Sequence, residues 1–88
     1  PSKKRRKRLN VKVKVFKAEE VVYEGEAEKV TVPAQNGEMT ILPHHISIVT
    51  NLQRGRLIVH KENGEKFQTE INGGVCSFSD ECVSVLAE

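Results

Sequence analysis

From Val11 onward the chain is written in a two-residue period. Val11, Val13 and Val15 alternate with Lys12 and Lys14, which buries one face of a strand and turns lysines outward, an arrangement suited to a sheet edge. Val21, Val22 and Tyr23 follow an acidic turn at Glu19-Glu20, Gly25 breaks the run, and Lys29 to Val32 resume it until Pro33 removes a backbone donor. These two runs read as a hairpin. Further strand-length runs cover Met39 to Leu42, Ile46 to Val49 and Arg56 to His60, where Leu57 and Val59 face one side while Arg56, Ile58 and His60 face the other. Glu62-Asn63-Gly64-Glu65 carries the Asn-Gly signature of a type I′ turn and leads into Lys66 to Ile71. Asn72-Gly73-Gly74 then reads as a tight turn into Val75 to Phe78, and Ser79-Asp80-Glu81 as the bend of a last hairpin ending in Val83 to Leu86. No 3.6-residue stripe interrupts the series. The pattern predicts an all-β domain, an antiparallel β-sandwich or flattened barrel of about eight to ten short strands.

Length and composition narrow this further. At 88 residues the chain holds one domain, and a domain this small buries only about 60% of the surface its unfolded form exposes. With no Trp, one Tyr and three Phe, its core is built from Val, Ile and Leu, residues that favour strands. No apolar run approaches the ~20 residues of a helical membrane span.

The net charge of +2 conceals an asymmetry, because Lys3 to Arg8 supply six positive charges and leave 8 basic residues against 12 acidic ones elsewhere. The chain therefore divides into a basic arm at residues 1–9, expected to be an unstructured extension or a cloning remnant, and a mildly acidic domain at residues 10–88. Cys76 and Cys82 flank the last bend in a register that sets Cys76 near Ser84 or Val85, not opposite Cys82, so no disulfide is expected. Two free cysteines suit a reducing compartment, with the role of small buried hydrophobes. The histidines lie far from the cysteines in sequence, and no metal site is expected.

Against this regular background Gly37-Glu38-Met39-Thr40-Ile41-Leu42-Pro43-His44-His45 is unusual: a turn, a short strand and a proline-led corner in nine residues. It resembles the Gly-Glu-x-Gly-Ile-Leu-Pro-Gly-His segment of the N-terminal β-sandwich domain of the epsilon subunit of the bacterial and chloroplast rotary ATP synthase. Val22-Tyr23-Glu24-Gly25-Glu26-Ala27-Glu28-Lys29-Val30 is similar to that family's aromatic-x-Gly strand pair, and Asn72-Gly73-Gly74-Val75 with Val83 to Glu88 matches the close of its domain. Thr40 and His44 replace two glycines of the family pattern, and a side chain resists the positive φ that glycine accepts.

The resemblance implies a non-catalytic rotor subunit. It would bind the gamma subunit at the foot of the central stalk and rest on the polar loops of the c-ring, coupling proton transport to ATP synthesis in the alpha/beta head. Its place would be peripheral, on the cytoplasmic face of the bacterial inner membrane or the stromal face of the thylakoid. The residues it assigns to the c-ring and gamma interface are Glu38, Met39, Leu42, Pro43 and His45. No catalytic residue, cofactor, metal or nucleotide-binding site is implied. Most members of the family continue into a helical hairpin that restrains ATP hydrolysis, and this sequence ends at Glu88. The rival expectation is a small β-barrel module whose basic arm engages nucleic acid or anionic membrane, but Phe16, Tyr23, Phe67 and Phe78 are too scattered to form a stacking platform.

Overall fold

The computed structural model describes residues 10–44 and 46–88, so the basic arm and His45 lie outside the described residues. Among the described residues seven strands form: β1 (Val11–Lys17), β2 (Glu20–Ala27), β3 (Lys29–Ala34), β4 (Gly37–Ile41), β5 (Ile48–His60), β6 (Lys66–Ser79) and β7 (Cys82–Ala87). They make one continuous sheet in the order β2-β1-β7-β6-β5-β3-β4. It folds over on itself. Tyr23 on β2 meets the Phe67 ring on β6 with centroids 5.2 Å apart, and the Glu28 N–H donates to the His60 carbonyl at 2.7 Å, which brings the β2 end of the sheet over β5 and β6. The core lies inside the fold, with Val13, Val15, Val83, Val85, Cys76 and Phe78 from one layer against Val30, Ile41, Leu57, Val59 and Ile71 from the other.

The all-β sandwich of the sequence reading stands, with fewer and longer strands. Seven replace the expected eight to ten because β5 and β6 run for 13 and 14 residues through positions that read as breaks. Asn72-Gly73-Gly74 is not a tight turn: Asn72 pairs with Arg54 and Gly74 with Leu52, well inside the ladder. What happens there is a change of parity. Even-numbered Leu52 and Cys76 face the core on one side of the bend, whereas odd-numbered Leu57 and Ile71 face it on the other. Both strands thus pass from one layer to the next at Gly55 and Gly73-Gly74. The corner is crowded: a Cβ on Gly55 would sit 2.7 Å from Pro33 Cβ, and one on Gly74 would overlap the Leu86 carbonyl oxygen.

Other expectations are corrected by pairing between distant segments. The sheet is mixed rather than antiparallel, since β1 runs parallel to β7. Its outward lysines do not mark an edge, because β1 lies between β2 and β7. Val21–Tyr23 and Lys29–Val32 do not form a hairpin with each other: β2 pairs with β1 and continues through Gly25 to Ala27, while β3 pairs with β4 and β5. Glu62-Asn63-Gly64 does join two partners, but not as a type I′ turn. Only Gly64 has positive φ (92°), and its N–H donates to the Lys61 carbonyl while the Lys61 N–H donates to that of Glu65. That is a three-residue loop closed by a bulge. The two-residue turns with positive φ at both positions are Ala18-Glu19 and Asp80-Glu81. Cys76 lies opposite Val85 and both cysteines are free, as the register required, although Cys82 is exposed rather than buried.

Candidate interaction site

The corner after β4 is built by three local constraints. β4 pairs only with β3, so it is an edge strand, and its five residues end at Ile41, whose side chain is buried opposite Val30. Alternation then fixes the neighbours: Met39 turns inward and packs half-buried against the core, while Glu38 and Thr40 turn to solvent. Leu42 leaves the ladder 50% exposed, Pro43 sets the turn, and Ile46 follows at 75% exposure. Of the five residues expected to meet a partner, Glu38, Leu42 and Pro43 therefore share an accessible edge. Met39 supports it from beneath, and His45 lies outside the described residues.

The outer faces of both layers carry charge, but one strip lacks it. On the layer made by β3, β4 and the joined halves of β5 and β6, Lys29, His60 and Lys66 form a cross-strand row, and Arg56 pairs with Glu70. On the other layer the outward positions of β5, β6 and β7 include Val49, Asn51, Val75, Ser77, Ser84 and Leu86, none of them charged. This strip is bordered on β1 and β2 by Lys12, Lys14, Glu24 and Glu26, with Lys14 opposite Ser84 and 3.8 Å from Glu24. Cross-strand register joins Val75 to Leu86, Leu86 to Phe16 and Phe16 to Val21, an apolar row across four strands. Val49 and Leu86 are 75% and 57% exposed. A neutral face with small serines at its centre and apolar groups along one side has the composition of an interface core rather than of a solvated sheet. Through Val49 it runs toward Ile46, two residues before β5. The sequence reading missed this strip, whose signal was the lack of charge at every second position from Val75 to Ser79 and from Cys82 to Leu86.

The hydrogen-bonded polar groups near β4 were also not anticipated. Thr31 Oγ1 lies 3.1 Å from Thr40 Oγ1 and 3.2 Å from His60 Nε2, tying the edge strand through β3 to β5. Burial lowers the His60 pKa below the usual histidine value, Lys29 and Lys66 lower it further, and Glu28 opposes them. Near the Pro43 corner, a groove of about 420 Å³ is lined by Asn10, Lys12, Glu26, His44, Glu81 and Cys82, among others. Within it the His44 N–H donates to Glu81 Oε1 at 3.0 Å. Among the described residues no group of three or more His, Cys, Asp or Glu side chains is placed to hold a metal ion.

Known proteins share this architecture. Residues 10–88 match the family described as ATP synthase, delta/epsilon chain, β-sandwich domain. The ATP synthase epsilon chains of Stenotrophomonas maltophilia strains K279a and R551-3 are each 32% identical over 78 residues, which cover 89% of this chain and 56% of theirs. The chain thus spans a little over half the length of these curated relatives. A chain in the cryo-EM structure of the Euglena gracilis mitochondrial ATP synthase, OSCP/F1/c-ring in rotational state 1, superposes with a TM-score of 0.84 at 26% identity, covering 90% of this chain and 51% of that one. With the family pattern matched from the first strand to the last, this chain belongs to the ATP synthase delta/epsilon chain β-sandwich family.

Proposed function

We propose that this domain is the rotor-side module of a rotary ATP synthase: a non-catalytic part of the central stalk that links the gamma subunit to the c-ring and helps couple proton transport to ATP synthesis. The observation that carries this reading is the family match over residues 10–88, combined with a neutral sheet face continuous with an apolar corner. Torque transmission asks for a stiff body and for surfaces that resist slip, and a sheet folded over a packed core supplies the first. In this reading the neutral face and Leu42 and Pro43 serve gamma, while Glu38, exposed on edge strand β4, makes a charge-assisted contact with a polar loop of the ring. Met39 packs beneath this edge, and His45 is included in the proposed contact by its place in the sequence alone. The site of action is the membrane surface, reached through partners.

Co-purification tests it. The 88-residue chain, immobilised and mixed with purified gamma, is expected to retain gamma, and deletion of residues 1–8 is expected to leave retention unchanged. Leu42→Asp should weaken it at least tenfold by placing a charge in an apolar contact. Glu38→Ala should retain the fold but lower assembly on the c-ring. Failure of the unmodified chain to hold either gamma or the ring overturns the proposal.

A further inference from the structure

The backbone of His44 keeps a conformation that glycine adopts freely, with φ at 67°. An L-residue resists this region because its Cβ crowds the following carbonyl. Contacts beyond the corner oppose that resistance. The His44 N–H donates to Glu81 Oε1 at 3.0 Å, and the ring Nδ1 lies 3.5 Å from Oε2 of the same carboxylate. One carboxylate holding both a main-chain and a ring nitrogen fixes the orientation of the peptide, which neither contact alone would do.

Glu81 is suited to this because its own base is anchored. It sits in the two-residue turn between β6 and β7, flanked by the paired residues Ser79 and Cys82, and its carbonyl accepts the Lys12 N–H at 2.9 Å. The carboxylate therefore extends from a fixed point on the far side of the groove, 37 residues from His44 in sequence.

We infer that Glu81 is a positioning residue that clamps His44 in its left-handed conformation and so sets how Leu42 and Pro43 are presented to a partner. The functional half of this inference rests on the proposed role of the corner as an interface. Glycine at position 44 would meet no steric resistance in this conformation, whereas histidine meets one that the Glu81 contacts offset. The two positions must therefore be coupled.

The test compares wild type, Glu81→Ala, His44→Gly and the double variant by amide hydrogen exchange at residue 44 and by gamma binding. Alanine meets the same steric demand as glutamate at φ 61°, so the turn itself changes little. Loss of the charge-assisted contact should accelerate exchange at His44 about tenfold in Glu81→Ala and weaken gamma binding by a similar factor. Adding His44→Gly should restore binding to the wild-type level, an outcome that a merely structural loss at Glu81 would not give. Should Glu81→Ala fail to fold, Glu81→Asp, which shortens the reach by one methylene, serves the same comparison. Unchanged exchange in the Glu81 variant, or binding that His44→Gly does not rescue, overturns the inference. If wild type binds no gamma, the rotor proposal fails, while the exchange comparison still decides the clamp.

Discussion

Alanine substitutions at four glycines separate two reasons for glycine at the layer corner. Gly64 has φ at 92° and nothing within 4 Å of an added Cβ, so Gly64→Ala carries backbone strain alone. Gly55 carries no such φ, but its Cβ would approach Pro33 Cβ to 2.7 Å, so Gly55→Ala carries overlap alone. Gly74 combines both: φ is 146°, and a Cβ would overlap the Leu86 carbonyl oxygen and lie 2.8 Å from Ala87 Cα. Strain at a glycine-only φ costs about 1–3 kcal/mol, reduced by about 0.4–1 kcal/mol because alanine restricts the unfolded chain. Overlap with packed neighbours adds about 1–3 kcal/mol. Gly74→Ala should therefore cost about 2–5 kcal/mol, a large share of the ~4–13 kcal/mol expected for a domain of this size. Since 1 kcal/mol corresponds to roughly 4–8 °C in a small domain, it should melt about 10 °C below Gly64→Ala when followed by circular dichroism. Gly73→Ala, whose Cβ would meet the Leu52 carbonyl at an ordinary 3.5 Å, should stay close to Gly64→Ala. A Gly74→Ala protein melting within about 3 °C of Gly64→Ala would refute the crowded corner and return Gly73-Gly74 to an open turn.

Other expectations concern thiols, turns and pH. Burial pushes the Cys76 thiol up to about 11, whereas Cys82 is exposed, so an alkylating reagent at pH 8 should modify one thiol per native chain and two in denaturant. Because the folded state keeps Cys76 protonated while the unfolded state releases its proton above pH 9, stability should fall between pH 9 and about 11, and Cys76→Ala should flatten that slope in denaturant titrations. His60 has the opposite sense. Its folded pKa lies below 6.5, so the unfolded state binds the extra proton and stability should decline as pH falls through that value, less so in His60→Gln. The β1–β2 turn places Ala18 and Glu19 at φ 53° and 70°, so Ala18→Asn with Glu19→Gly should raise stability by about 1 kcal/mol, read as a higher melting temperature.

Much of the architecture was written locally. The alternation of Val11, Val13 and Val15 fixed which face of β1 is buried, and all three are buried. The bend at Asp80-Glu81 fixed the register that separates the two cysteines, and the segment from Gly37 to Pro43 marked the short strand and the corner that follows it. These features depend on neighbours two to four residues apart, the range over which side-chain alternation and turn chemistry act.

Tertiary structure decided the rest. A glycine pair reads the same whether the chain reverses there or a continuous strand turns a corner, and only the pairing of Asn72 with Arg54 and Gly74 with Leu52 tells them apart. The parallel alignment of β1 with β7 joins segments about seventy residues apart, for which no local signal exists. The clamp from Glu81 to His44 is of the same kind. Nothing in either segment names the other, and their meeting depends on a groove lined by residues from distant parts of the chain. Local preference sets the shape of each strand, whereas partner choice follows from burying all the apolar faces at once, which is a property of the whole sheet.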